Sequence, residues 1–424
     1  MKLLINALLP TASTAFKRVN VLFNERFLKF STDELKVDDE VEIIDAKGWI
    51  ILPGGVDPHV HILGKASTAA ADLSSISKAA LEGGWTTLAE LSYHTENPVF
   101  GLPDLKKTVA LIEEEAWTSM ALWGHVNIDE YPYHAESAQE LWAKGVVGIA
   151  LTAPAPNKAI PEISFTEIMD LFLDIYESDT AFAFQGFDHE SHAEFSHLAQ
   201  MEAIKKILRR MQENPIHIPR ISSFATIEFI NSISKRSDIS FALACSDMMA
   251  LFTGEHFMLQ HSCDFGDNEE TKNLLFELLR TNKLYLISNS ISPEAKQTDY
   301  CELFKGDNPE LVRHSYLWVL SELWKKRKVP LATCLKMTSE NAAKRLGLYP
   351  QKGCLEAGSD ADFLLYNPEA TTVLGNKLEL TGAFESIFIK GMLVAGKGIE
   401  SNKNGGFVAR TNSPKRRHNN TTWI

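Results

Sequence analysis

Apolar residues fall along this chain in two rhythms. Over residues 1–52 short runs are separated by polar turns, which predicts strands at Lys2–Leu8, Val19–Phe23, Val41–Ile44 and Trp49–Leu52. From residue 56 apolar runs alternate with longer stretches whose apolar positions recur at helical spacing. Eight runs read as strands: Val56–His61, Thr86–Leu91, Ser119–Gly124, Val146–Leu151, Thr180–Gln185, Ile216–Ile221, Ile239–Cys245 and Leu284–Asn289. Helical stretches between them include Ala66–Glu82, Leu102–Trp117, Ser164–Ser178, Glu194–Glu213 and Glu269–Thr281. Eight strand-then-helix units predict an α/β chain folded as a (β/α)8, TIM-like barrel.

Two further helices are expected, Pro309–Lys326 and Leu331–Leu346, followed by strands at Cys354–Ser359 and Asp362–Tyr366. Ile387–Lys390 and Leu393–Ala395 read as a closing hairpin turned at Gly391-Met392. The expected organisation is a barrel over residues 53–350, a small β-domain composed of 1–52 and 351–400, and a flexible tail over 401–424. Poor order is expected from Gly396 onward, where Gly, Asn, Ser and Thr are frequent and apolar periodicity fades. Gly83-Gly84 is a helix-ending signal rather than a phosphate loop.

Charge narrows the function classes. Lys+Arg number 42 against 55 Asp+Glu, a net −13, which argues against a general binder of nucleic acid or anionic membranes. The basic run Lys415-Arg416-Arg417-His418 reads as a solvated tail. No segment reaches the ~18 apolar residues of a membrane span, and the apolar run at the N-terminus is too short for a signal peptide. The five cysteines are scattered, with no Cys-x-x-Cys pair, so a disulfide framework is not expected and a reducing cytoplasm fits.

The chemistry concentrates at Asp57-Pro58-His59-Val60-His61. Side chains alternate along a strand, so His59 and His61 point the same way. Two imidazoles at a strand end are either an ordinary strand terminus or the start of a metal site, which takes ~3–4 protein ligands.

Three stretches carry a resemblance: Leu52-Pro53-Gly54-Gly55-Val56-Asp57-Pro58-His59-Val60-His61; Ala79-Ala80-Leu81-Glu82-Gly83-Gly84-Trp85-Thr86-Thr87; and Thr338–Leu348 continuing through Lys352–Phe363. With them the chain resembles the amidohydrolase superfamily, in its dihydroorotase, hydantoinase and dihydropyrimidinase branch, over roughly residues 1–400. The resemblance implies hydrolysis or closure of a cyclic amide by two metal ions that activate a bridging water. It implies ligands from two first-strand histidines, a carboxylated lysine on the fourth strand and a histidine on each of the fifth and sixth. An eighth-strand aspartate would bind metal and act as general base.

Only the first pair is present, as His59 and His61. Ala150 stands at the lysine position and cannot carry a carbamate. Gln185 stands at the fifth-strand histidine, and its amide is a poor zinc ligand. Arg220 takes the sixth-strand ligand's place, while His217 matches a histidine that points out of the site. Asn289 replaces the aspartate and cannot accept a proton at neutral pH. Around the site, His94 replaces a substrate-contacting asparagine, Ile62-Leu63-Gly64 follows the histidine pair in place of an arginine, and Ser290-Ile291-Ser292-Pro293 replaces a histidine-rich segment.

The resemblance therefore implies a dihydroorotase-like pseudoenzyme with a structural or regulatory role linked to pyrimidine biosynthesis. An aspartate carbamoyltransferase or an active dihydroorotase would be its partner, and a homodimer is also expected from the family. No cofactor is expected; zinc enters only at low occupancy or in a rewired site. Two alternatives stay open. One is a rewired mono-metal hydrolase, in which His59 and His61 recruit groups such as His189 and His192. The other is a small-molecule-binding protein that uses His94, Arg220 and Asn289 at the barrel mouth, although Arg220 could equally fill the vacated metal space, bonded to Gln185, Asn289 or backbone carbonyls.

Overall fold

The structure is a computed structural model. It describes residues 1–11, 15–63, 72–91, 95, 97–155, 158–175, 180–188, 197–209, 214–221, 223–233, 238–253, 269–280, 285–289, 309–374 and 378–411.

The N-terminal strands are β1 (Lys2–Pro10), β2 (Phe16–Phe23), β3 (Phe27–Ser31), β4 (Glu42–Asp45) and β5 (Ile50–Pro53). The barrel follows as β6 (Gly55–Val60), β7 (Trp85–Glu90), β8 (Ser119–His125), β9 (Gly148–Ala153), β10 (Phe182–Gly186), β11 (Ile216–Ile218), β12 (Ile239–Ala244) and β13 (Tyr285–Ser288). All eight are parallel and neighbours in chain order, β13 to β6. Strands covered on both faces need no polar alternation, which is why each shows as a continuous apolar run. The chain then returns as β14 (Phe363–Leu374), β15 (Leu378–Ile389), β16 (Met392–Ala395) and the short β17 (Gly406–Phe407).

The first expected barrel helix begins, within the described residues, at Leu73 and runs to Glu82. Asp72 caps it, accepting from Ser75 N at 2.7 Å. Gly83 closes it by donating to Ala79 O and Ala80 O, and Gly84, at φ +86°, turns the chain into β7.

The second sheet runs β16-β15-β14-β5-β1-β2-β3, with β4 added beside β1. Segments from both ends of the chain thus share one sheet, joined where β14 pairs antiparallel with β5 (Leu364 with Leu52, Phe363 with Pro53). Phe23, Phe27, Phe363 and Phe388 form its aromatic core, with Phe363 stacked on Phe388 at 4.3 Å.

Several expectations are corrected. β3 was not anticipated. No strand forms at Cys354–Ser359, which is turn and loop. The closing hairpin is larger than expected, because β14 and β15 are twelve residues each and pair along most of their length. Their register breaks around Pro368, which has no N–H to offer a ladder. The two expected late helices contain π-helical turns, Val319–Lys326 and Lys336–Glu340. The expected looseness past Gly396 does not hold for residues 396–411. β17 pairs parallel with the start of β8, and the Arg410 guanidinium lies 3.4 Å over the Trp142 ring while donating to Trp142 O at 2.7 Å. Among the described residues no helix is long and apolar enough to cross a membrane.

Candidate functional site: the mouth of the barrel

The first barrel strand carries Asp57 and His59, and His61 follows directly after it, continuing the period of two. All three are buried. The His59 and His61 rings lie 5.7 Å apart. Glu90, at the end of β7, holds the turn beyond them by accepting from Ile62 N at 2.9 Å.

Asp57 joins the two ends of the barrel sheet. Ser288 Oγ, on β13, lies 2.7 Å from both Asp57 Oδ1 and His59 O. Asn289 donates to Asp57 Oδ2 twice, from its backbone N at 2.8 Å and its side-chain Nδ2 at 2.7 Å. Among the described residues no backbone ladder links β13 to β6, so this carboxylate makes the seam. Burial pushes Asp57 up to about 6, against the hydrogen bonds from Ser288 and Asn289, which favour the charged form. Asn289, the position of the family's general base, is thus a hydrogen-bond donor to a structural carboxylate.

Inside the barrel the space is taken by small residues and one indole. Ala150 on β9 packs in a cluster with Ala89, Ala121, Ala183, Ala242 and Trp123. Trp123 Nε1 donates to Pro58 O at 3.1 Å. His217 lies inside the barrel, 5.7 Å from the His59 ring, stacked on Trp123 at 6.2 Å and bonded through Nδ1 to Ser240 Oγ at 3.0 Å. It stands beside His59, where the resemblance had it pointing out of the site.

Arg220 has a partner that the sequence reading did not name. Its guanidinium grips Asp247 bidentately, Nε to Oδ2 at 3.0 Å and an Nη to Oδ1 at 2.7 Å. Asp247 is buried in the first turn of the helix Cys245–Thr253, directly after β12. Nothing in its local sequence singles it out; only the fold brings it to Arg220. Gln200 fixes the arginine's backbone, donating to Arg220 O at 2.8 Å. His59 is held well below the usual imidazole range, by burial first and then by the neighbouring His217 and Arg220.

Gln185 sits on β10 on the same face as Ala183, opposite Thr152 of β9, and is half-buried. His94, His189, His192 and Ser290–Pro293 lie outside the described residues.

The family's metal pair does not fit the donors that stand here. Where the resemblance places the bridging lysine and two further imidazoles stand a methyl group, an amide and a guanidinium; the added imidazole beside His59, that of His217, is bonded through Nδ1 to Ser240, and Arg220's permanent charge opposes a cation there. Among the described residues no three His, Cys, Asp or Glu side chains group as metal ligands.

The amidohydrolase family profile matches residues 50–397. Similar chains include the allantoinase of Rubrobacter xylanophilus, 23% identical over 369 residues and covering 78% of each chain. The dihydroorotase of Elusimicrobium minutum is 23% identical over 368 residues, covering 80% of this chain and 81% of the other. Dihydropyrimidinase-related protein 5 of Mus musculus is 24% identical over 402 residues, covering 82% and 68%. Among solved structures, L-hydantoinase (dihydropyrimidinase) from Arthrobacter aurescens superposes with a TM-score of 0.78 at 20% identity, covering 96% of this chain and 99% of that one. That likeness carries the fold alone. The profile spans most of the sequence, and the barrel with its composite sheet is the architecture it describes: the chain belongs to the amidohydrolase family.

Proposed function

We propose that this protein is a non-catalytic member of the amidohydrolase family, in which the barrel is retained for a structural or regulatory role. The observation that carries the reading is the Arg220–Asp247 pair beside His59. A fixed guanidinium stands where the resemblance places a metal-binding imidazole, and a buried carboxylate holds it there. Ala150 and Asn289 support the same reading, since neither can bridge cations or take a proton from water. Removing a general base alone costs ~10²–10⁴-fold in rate. Loss of the activated water as well leaves no useful turnover.

The resemblance to dihydroorotases suggests where such a role would lie. Under this reading the chain assembles with an aspartate carbamoyltransferase or an active dihydroorotase and supports pyrimidine biosynthesis without turning over substrate itself.

The test has two arms. The full chain, purified without chelators from zinc-supplemented growth, is analysed for metal and assayed with dihydroorotate, allantoin, hydantoin and dihydrouracil under added zinc. The expected result is substoichiometric zinc and no ring opening above the uncatalysed rate. Stoichiometric metal with ring opening at ordinary enzymatic rates overturns the reading. Affinity capture of the tagged chain then tests the role: recovery of no pyrimidine-pathway enzyme removes the proposed assembly and leaves the catalytic question to the first arm.

A further inference from the structure

A second hollow lies away from the barrel mouth, where the β1–β2 hairpin meets the helical segments between barrel and composite sheet. Its volume is about 320 Å³. None of its lining residues comes from a barrel strand. At ~30 Å³ per water it has room for roughly ten waters, and it falls at the lower end of the ~300–1,000 Å³ usual for small-molecule clefts.

Its walls are apolar, formed by Phe16, Trp324, Val329 and Leu331. Phe16 meets Trp324 edge-on at 6.4 Å, and Tyr366 braces the indole from another side at 6.1 Å. Two lysines join this lining, Lys325 and Lys328.

They belong to a run of four cations, Lys325-Lys326-Arg327-Lys328, in a chain whose net charge is −13. The middle two are paired with Glu322, Lys326 at 3.0 Å and Arg327 at 3.1 Å. The outer two line the hollow. Lys325 Nζ stands 4.3 Å over the Trp324 ring. Lys328 adopts a left-handed backbone, φ +62°, and its ammonium donates to the backbone Lys325 O at 2.7 Å, which keeps the Lys328 side chain folded back toward Lys325. Burial lowers Lys325 below the ordinary ammonium range; Glu369 opposes that, and the charge of Lys328 adds to it. Trp324 and Lys325 project from the π-helical turn Val319–Lys326, a backbone form that recurs at functional sites.

We propose that this hollow is a binding site for a small amphipathic anion, a carboxylate on a short apolar body. The apolar part would occupy the Phe16–Trp324–Leu331 wall and the carboxylate would meet Lys325 and Lys328. Both desolvation of the apolar part and neutralisation of two adjacent cations favour the complex. A basic segment such as Lys415–His418 is excluded as occupant by like charge.

The full chain is titrated with 8-anilinonaphthalene-1-sulfonate as fluorescent reporter, then with octanoate and octylamine as competitors. One saturable site is expected, displaced by octanoate and not by octylamine. The K325Q/K328Q variant binds reporter and octanoate about ten-fold more weakly at an unchanged melting temperature, a difference that follows from loss of the two charges. A15E, which adds a carboxylate at the exposed rim, weakens both ligands as well. Absence of saturable binding, equal displacement by octylamine, or wild-type affinity in both variants overturns the proposal. The outcome is independent of whether the barrel mouth is catalytic.

Discussion

At the scale of single residues, two carboxylates decide how the barrel mouth is held. Asp247 is almost wholly buried and its recorded counter-charge is Arg220. Removing one partner of such a pair leaves an uncompensated buried charge, at a cost of about 3–5 kcal/mol. Arg220→Ala is therefore expected to lower the unfolding midpoint sharply. The double variant R220M/D247L should recover most of the loss, because an apolar pair carries no desolvation penalty. Urea unfolding of the two variants checks this; equal losses in both would show that the ion pair is not the origin. Asp57 gives a pH signature. Its folded pKa, about 6, lies above the ordinary 3.8, so the folded state binds the extra proton between those values. Stability contributed by this group is therefore present below pH 4 and declines as pH rises through 6, by up to about 3 kcal/mol. Asp57→Asn keeps no titration, so its deficit relative to the parent is expected to be largest near pH 4 and to shrink toward pH 7 in thermal unfolding.

At the scale of elements, the join between barrel and composite sheet rests on buried Lys352. Its ammonium contacts Asp362 at 2.7 Å, Asp360 at 3.0 Å and Ser119 Oγ, at the start of β8, at 3.2 Å. Burial alone would lower this lysine, but the charges of Asp362 and Asp360 outweigh it and hold the group protonated. Lys352→Ala confronts two carboxylates with no cation and is expected to destabilise by about 3–5 kcal/mol, more at pH 7 than at pH 4, as read by chemical denaturation. Elements of this kind differ in how openly the sequence declares them. The eight barrel strands were legible because each is an unbroken apolar run. β3 was not, because Leu28 and Lys29 face solvent at a sheet edge and blur the alternation. The far halves of β14 and β15 were missed for the same reason: Glu369, Thr371 and Glu379 give them the look of a loop. Within the site, the resemblance assigns each ligand position by strand order, but it could not give the direction of His217, which the structure turns inward beside His59. Asp247 could not be read either, because its pairing with Arg220 depends on the turn after β12 and on no local pattern. The role of Asn289 was equally hidden, for its partner Asp57 lies more than two hundred residues earlier and meets it only when the barrel closes.

At the scale of the whole molecule, the two ends of the chain meet in one sheet, as the strand pattern predicts, and residues 396–411 are better ordered than their composition suggests. The N-terminal strands and the returning β14–β16 are one sheet, so neither segment completes its hydrogen bonding without the other. Residues 396–411 then continue from β16 across the barrel to Trp142. Removal of residues 412–424, which keeps every strap contact described above, supplies the reference. Removal of residues 401–424 strips β17 and Arg410 from the barrel and should lower the melting temperature by several degrees, given that about 1 kcal/mol shifts the midpoint of a large domain by a few degrees. Differential scanning calorimetry of the two truncations checks this, and equal midpoints would show that the strap contributes nothing.

The strap has a practical corollary. Gly406 and Phe407 meet β8 at its first residues, Ser119 and Met120, and Arg410 docks just ahead of β9. These contacts lie on the rim where the parallel strands begin, whereas His59, Arg220 and Asn289 stand where strands finish. A reporter, surface tether or purification handle fused beyond Thr411 therefore leaves from the opposite pole. Immobilising the molecule by that end would turn the pole where the barrel strands finish away from the support.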